Sequence, residues 1–392
     1  MIFLFVSTLL LSVTSLLIYL LYFLIVLRTK KKEQYINKLQ SIINNTIDPK
    51  ELPNVTVMIP TYNETETIYA KMKNISEFDY PLDKLEVIIV DDSSVDNTRE
   101  IANSAFRDFN IKGRIIMNEV RSGVNVSYNR AIPQVNSEYI LTSDADALIP
   151  PDSLLKAVKV LLELKEVGAV AAKMIPLGNK TTVASRTAIA YANSYNVMLT
   201  AESALFSTFP GSTSCLLMRK SAFSPISNTY GSSDGNISLS IIKNGFKFIM
   251  APCIVYYEPI SQRLLEQRRQ KIRRATRLLQ ATLLNLNILF NRKYAEFGET
   301  IFPLRLLMMT LCPVLILLSI PLFFIFMFIN SLPLFAILSA CAVLVLAAGA
   351  KTNIKAFNLI LSFLIHQAYL FLGVFLSFRK MSVWKKIERT SR

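Results

Sequence analysis

Residues 1–27, MIFLFVSTLLLSVTSLLIYLLYFLIVL, carry no charged side chain, and no other feature limits the folding choices of the chain so strongly. In hydrocarbon every backbone N–H and C=O must be satisfied within the segment, so such a run is expected to cross the roughly 30 Å bilayer core as a helix. A cleaved signal peptide would have a basic start, a shorter apolar stretch and a small-residue cleavage site. The run has none of these and reads as a retained anchor. Residues 301–329, 332–350 and 354–378 are again apolar and of membrane length.

Between these zones lies a stretch of mixed polarity long enough to fold around its own core. The expected layout is a membrane anchor at 1–27, a basic linker at 28–53 and a water-soluble domain at 54–260. Amphipathic interfacial helices follow at 261–300, then membrane segments within 301–378 and a basic tail at 379–392.

The net charge of +15 is concentrated beside the apolar zones, at Arg28-Thr29-Lys30-Lys31-Lys32 and in QRRQKIRR at 267–274. Basic residues flanking a span mark its cytoplasmic side, which places the soluble domain inside the cell. Four crossings would then leave the basic tail outside, and an interfacial or re-entrant segment would reconcile the two. No basic-aromatic motif accompanies the clusters, so they read as topology and headgroup signals rather than a nucleic-acid surface. The four cysteines, Cys215, Cys253, Cys312 and Cys341, show no paired spacing, which argues against a disulfide framework or a zinc site. His366 lies within the last apolar segment and reads as a packed or bundle-facing side chain.

The soluble stretch alternates strand and helix patterns. NVTVMIP at 54–60, LEVIIVDD at 85–92, GRIIMNE at 113–119 and EYILTSD at 138–144 are strand candidates. Val87 to Val90 is a continuous apolar run, as expected for a strand buried on both faces. TETIYAKMKNISEF, REIANSAFRDF and VNVSYNRAIPQV carry helical spacing, with Asp96 as a candidate N-cap of the second. Such alternation implies an α/β domain with a mostly parallel sheet.

Ligands of these sheets sit beyond the carboxyl ends of the strands. Three strand candidates end there in acids or amides: PTYNE at 60–64, DDSS at 91–94 and DAD at 144–146. Burying an unpaired carboxylate is costly, so Asp144 and Asp146 are expected to face water, a cation or a ligand.

The order PTYNE, VDDSSVDNT, GVNVSYN, SDADALIPPDSL, then FPGSTSCLLMRKSAF at 209–223 and YGSSDGNISLSIIKNGFKF at 230–248, resembles the family 2 inverting glycosyltransferases of A-type fold. The membrane arrangement is closest to the cellulose- and hyaluronan-synthase-like members. The resemblance covers about 54–280. It implies transfer of a sugar from a UDP- or GDP-sugar donor to a lipid-linked or glycan acceptor, with Mg²⁺ or Mn²⁺ as cofactor.

By that resemblance Asp146 ligates the metal, and Asp144 contacts it or the donor ribose. Thr61, Tyr62, Glu64, Asp91 and Asp92 hold the base and ribose, and Gly211 and Ser212 belong to the acceptor side. Asp234 is the candidate general base, against the simpler reading of an aspartate capping the helix that follows. Members usually carry Glu-Asp where this chain has Ser233-Asp234, and Gly-Lys where it has Gly123-Val124, so Arg121 is the candidate for the missing positive charge. Processive members carry Gln-x-x-Arg-Trp. Here Gln270 and Arg273 match, while Arg274 stands in place of the tryptophan, which weakens the polymerising version.

Arg273 suits a diphosphate through its planar fork. Leu265, Ile272, Leu279 and Leu283 recur near one face of the surrounding helix, as in a helix lying in the membrane interface. Trp384 resembles the tryptophan of a basic segment that closes over the site in relatives, and equally an interfacial anchor. A non-catalytic membrane scaffold of the same fold is the competing class. The retention of Asp144, Asp146 and Asp234 argues against it.

Overall fold

The computed structural model describes residues 2–178, 182–261, 263–351 and 354–379. Trp384 and the basic tail beyond residue 379 lie outside the described residues.

Helix α1 (Ile2–Tyr22), extended by a π-turn to Leu27, is followed by α2 (Lys31–Asn44). The sheet then begins. Strands β1 (Val55–Thr61), β2 (Leu85–Asp91), β3 (Gly113–Met117) and β4 (Tyr139–Thr142) alternate with α3 (Ile68–Ser76), α4 (Thr98–Asp108) and α5 (Val124–Ala131). Next come α6 (Ser153–Glu163), β5 (Val167–Leu177), α7 (Val183–Leu205), β6 (Leu216–Arg219), α8 (Ser233–Lys243) and β7 (Lys247–Pro259). The chain continues as α9 (Leu264–Leu284), α10 (Phe302–Asn330), α11 (Leu332–Lys351) and α12 (Lys355–Leu376).

Among the described residues the strand order is β3-β2-β1-β4-β6-β5-β7. β1 pairs in parallel with β2 and β4, β2 with β3, and β5 with β7, while β6 runs antiparallel to both its neighbours. The sheet is therefore mixed and mostly parallel, as its sequence pattern indicated.

The apolar runs of β1 and β2 follow from coverage on both faces. Val57, Ile59, Val87, Ile89 and Leu141 belong to one core cluster, while Met58, Ile88, Val90 and Ile140 belong to the other. Successive side chains of a strand point to opposite faces, so a strand covered on both sides needs apolar residues throughout.

Two local expectations change. Asn97, not Asp96, occupies the N-cap position of α4, although Asp96 Oδ1 accepts the Thr98 N–H at 3.1 Å from one residue further out. Residues 31–44 of the expected linker form α2 instead. Leu39, Ile42 and Ile43, at helical spacing, are buried in the core, and Tyr35 donates its hydroxyl to the Met250 carbonyl at 2.8 Å.

Among the described residues three helices are long and apolar enough to cross a membrane: Phe3–Leu27, Phe297–Asn330 and Lys355–Leu376, with mean hydropathies of 2.5, 2.7 and 2.1. α11 supplies only the shorter apolar stretch Leu332–Val345 among the described residues. α1 packs along α10, with the Phe5 and Phe326 rings 5.3 Å apart. Phe3, Leu10, Phe328 and Phe375 remain exposed on the outside of this helical unit, an apolar surface that lipid would cover.

Candidate active site

Parallel pairing sets Thr61 beside Asp91 at the ends of β1 and β2, and β4 ends on the other side of β1. The loops that leave these strands therefore open at one edge, around the strand flanked by both neighbours. A cavity of about 310 Å³ lies there, roofed by the start of α8 and by α9.

Thr61, Tyr62 and Glu64 line it from β1, and Asp92 from β2. The Arg121 guanidinium lies over the Tyr62 ring at 3.7 Å and joins the same wall. Asp144 and Asp146 enter from β4, Gly211 and Ser212 from the loop after α7, Asp234 from α8, and Gln270 and Arg273 from α9. The fold thus brings together nearly all the residues singled out in sequence.

Asp91 is the exception among the described candidates. It is wholly buried and outside the cavity lining, accepting the Ser94 N–H at 3.0 Å and lying 3.9 Å from Arg99 Nε. These contacts hold the turn after β2. Asp92 lines the cavity but is already engaged. Its oxygens accept from Asn118 Nδ2 at 2.8 Å, from Ser122 N–H at 2.7 Å and from Gly123 N–H at 2.8 Å. Gly123 adopts φ 92°, which L side chains rarely reach, and so presents that N–H.

Asp144 is exposed and Asp146 half-buried, with Ala145 buried between them. Ser214 donates its hydroxyl to Asp144 Oδ2 at 2.7 Å. Beneath this turn is a residue the sequence reading missed. Lys71, on the otherwise apolar stripe Ile68–Met72–Ile75 of α3, is buried and donates to Ser143 Oγ and to the Ala147 carbonyl, each at 2.8 Å. Burial pulls its pKa down to about 8, against the nearby Cys215, Asp144 and Asp146. A lysine in a buried helical stripe was the available signal.

Among the described residues no group of three or more His, Cys, Asp or Glu side chains forms a metal cage. Two neighbouring carboxylates at a strand end are instead a donor set suited to a hard divalent ion that completes its shell with water and phosphate oxygens. Asp144 and Asp146 fit such an ion.

The N-cap of α8 is Ser232, whose hydroxyl accepts the Gly235 N–H at 3.2 Å, so Asp234 is not needed as a cap. Its Oδ2 accepts the Thr213 N–H at 3.2 Å. The residue has some exposure into the cavity, while its carboxyl is surrounded by protein. Burial, reinforced by the Asp144 charge, raises its pKa to about 8.

α9 packs against the membrane-length helix α12 and also borders the cavity. Leu279 is buried in the domain core while Leu265 is exposed, so the four apolar positions do not share one lipid-facing surface. Gln270, Arg273, Arg274 and Arg277 all line the cavity. Arg274, in the tryptophan position, donates to Glu258 Oε1 at 2.6 Å. Burial works against its charge, and Glu258 more than offsets it, holding the guanidinium above its ordinary value.

Residues 56–226 match the family described as Glycosyl transferase family 2. The chain is 30% identical over 139 residues to the probable glycosyltransferase YdaM of Bacillus subtilis, covering 35% of this chain and 33% of that protein. It is 27% identical over 139 residues to a poly-beta-1,6-N-acetyl-D-glucosamine synthase of Staphylococcus epidermidis, covering 36% and 32% respectively. The matches thus span about a third of these curated relatives.

The mannosyltransferase PcManGT from Pyrobaculum calidifontis, solved with GDP-Man and Mn2+, superposes with a TM-score of 0.73 at 24% identity. The match covers 95% of this chain and 98% of that one. The likeness shows a shared fold, the A-type glycosyltransferase architecture together with its flanking helices.

Proposed function

We propose that the protein is a membrane-bound inverting glycosyltransferase that moves a sugar from a nucleotide-sugar donor to a lipid-linked or glycan acceptor at the cytoplasmic membrane face. One observation carries this reading: Asp234, a buried carboxylate with a raised pKa, lines the same cavity as the Asp144–Asp146 pair and the cations Arg121 and Arg273.

In this reading Tyr62 and Arg121 hold the nucleoside end, and Arg273 binds diphosphate oxygens through its fork. A divalent ion held by Asp144 and Asp146 would supply positive charge to the departing diphosphate. Asp234 accepts the acceptor hydroxyl proton as that oxygen bonds to the anomeric carbon and the carbon–phosphate-oxygen bond breaks. The raised pKa suits a base working near neutral pH. The Arg28–Lys32 cluster beside α1 supports a cytoplasmic domain.

A polymerising version draws support from the relative named as a polysaccharide synthase. Arg274 in the tryptophan position, bound to Glu258, supports single transfer instead.

Membranes containing the protein, incubated with labelled nucleotide sugars, should pass label into organic-soluble lipid or glycan. Long polymer would favour the processive version. Asp234→Asn keeps the side-chain shape and removes the base. Donor affinity should stay near wild type while transfer falls by on the order of 10²–10⁴. Undiminished transfer would remove Asp234 from the chemistry.

A further inference from the structure

α1 and α10 run side by side in opposite directions. At one end Tyr22 and Arg305 both donate to the Glu202 carboxylate of the α/β domain, and at the other Phe5 meets Phe326. From Arg305 to Asn330 α10 extends about 37 Å at 1.5 Å per residue, enough to cross the hydrocarbon core. α11, of 20 residues, then brings the chain back.

α12 does not repeat this direction. Its 22 residues are long enough to span, yet they touch the α/β domain along most of their length. Ser362 donates its hydroxyl to the Thr187 carbonyl of α7 at 3.0 Å, and one turn on His366 stacks on Tyr191 with ring centroids 3.8 Å apart. Leu370 and Val374 pack against the domain core. Gly373 lies so close to α9 that an added Cβ would sit 3.2 Å from the Thr276 nitrogen. Just past the helix, the Ser377 and Arg379 carbonyls accept from Gln280 Nε2 at 3.1 and 2.7 Å. Positions 362, 366, 370, 373 and 377 form one helical stripe.

The middle of α12 is equally close to the domain. Gln367 donates to the Tyr19 hydroxyl at 2.8 Å, and Tyr19 is only one turn of α1 from Tyr22. A spanning helix would meet α1 halfway along at its own midpoint, and one of its ends would stand about 30 Å from the domain. α9 could not accompany it across, because Arg268, Arg269, Arg273 and Arg274 would enter hydrocarbon. On the outer side Ile360, Leu372 and Phe375 are exposed, as is Phe378 just beyond the helix. Exposed Lys355 and Arg379 flank this apolar face.

We infer that α12 is an interfacial helix in the domain-side leaflet, one stripe bedded on α7 and α9 and the opposite one in lipid acyl chains. The crossings among the described residues are then α1, α10 and α11, and the chain leaves Arg379 on the side of the α/β domain. Lys355 and Arg379 join Arg28 and Lys30–Lys32 on that side, as the distribution of basic residues about spans requires, and the conflict posed by four crossings disappears. α12 thus lies between lipid and α9, the helix that carries Arg273 and Arg274 to the cavity. This placement rests on α1 and α10 as spans, not on the reaction.

Trp384 is the only tryptophan of the chain, so Trp384→Phe gives a full-length background in which one added tryptophan reports its own depth. In vesicles of brominated lipid, Ile360→Trp, Leu364→Trp and Phe375→Trp should be quenched alike, most strongly by bromines near the headgroup. A span would instead make Leu364→Trp, near the helix centre, the one quenched best by bromines at the chain ends. In sealed vesicles of either orientation, a C-terminal epitope tag should be cut by protease in the same preparation that cuts the α/β domain. Deepest quenching at Leu364→Trp, no quenching at any of the three, or a tag cut only where the domain is spared would overturn the interfacial placement. Neither readout depends on sugar transfer, so a failure of the transferase reading would leave both unchanged.

Discussion

Arg305, in the first turn of α10, donates from Nη1 to both carboxylate oxygens of Glu202 on α7, each at 3.0 Å. Both side chains are almost fully buried. Tyr22 of α1 donates to Glu202 Oε1 at 2.7 Å, and Thr208 also donates to this carboxylate. Arg305 Nη2 reaches the Phe209 carbonyl at 3.3 Å, two residues before Gly211. Two membrane-length helices thus meet the α/β domain at one ion pair close to the Gly211 loop.

Removing one partner should therefore be costly. Arg305→Met leaves Glu202 buried without its cation, a loss of about 3–5 kcal/mol in comparable pairs. The double variant Glu202→Gln/Arg305→Met should recover much of it, because no uncompensated charge remains. Thermal unfolding in detergent of the wild type, Arg305→Met, Glu202→Gln and the double variant checks this, and additive losses would show that the pair is not coupled.

The Asp234 carboxyl should set a pH limb. Its pKa is raised to about 8, mainly by burial, and only the deprotonated form can take a proton. The kcat/KM for transfer should climb about tenfold per unit below that value and level off above it. The same limb should vanish in Asp234→Asn. A flat profile from pH 6 to 9 in the wild type would contradict the assignment.

Asp146→Asn keeps the side-chain shape and removes one of two carboxylates suited to a divalent ion, at a half-exposed position. The Mn²⁺ concentration for half-maximal turnover should rise steeply, with several kcal/mol of transition-state stabilisation lost. Thermal stability without metal should hardly move. Near-normal turnover at saturating Mn²⁺ would remove Asp146 from the metal site.

Lys71→Met tests the support under the Asp144–Asp146 turn. It leaves Ser143 Oγ and the Ala147 carbonyl without their ammonium donor. Unsatisfied buried acceptors cost about 1–3 kcal/mol, and the turn they hold should loosen. Donor affinity in Mn²⁺ should fall together with the unfolding temperature. An unchanged donor Kd in a destabilised variant would limit Lys71 to stability alone.

The sequence by itself determined the membrane-length segments, the strand–helix alternation and the convergence of most polar strand ends on one edge. Those features are local. Period-two strands, 3.6-residue helices and uncharged spans are written in neighbouring residues. Even so, Leu39, Ile42 and Ile43 show the limit, because their helical spacing was outweighed by basic neighbours and the segment was expected to be a linker.

Tertiary structure alone decided which of Asp91 and Asp92 meets the cavity, since adjacent strand residues face opposite ways and only the final turn of β2 chooses between them. It paired Arg274 with Glu258, sixteen positions away, and so set the basic helix α9 as a wall of the cavity. It also stacked Tyr191 on His366 and slid Lys71 beneath the Asp144–Asp146 turn. Contacts between elements far apart along the chain depend on how the sheet and helices pack, and no local periodicity encodes that packing.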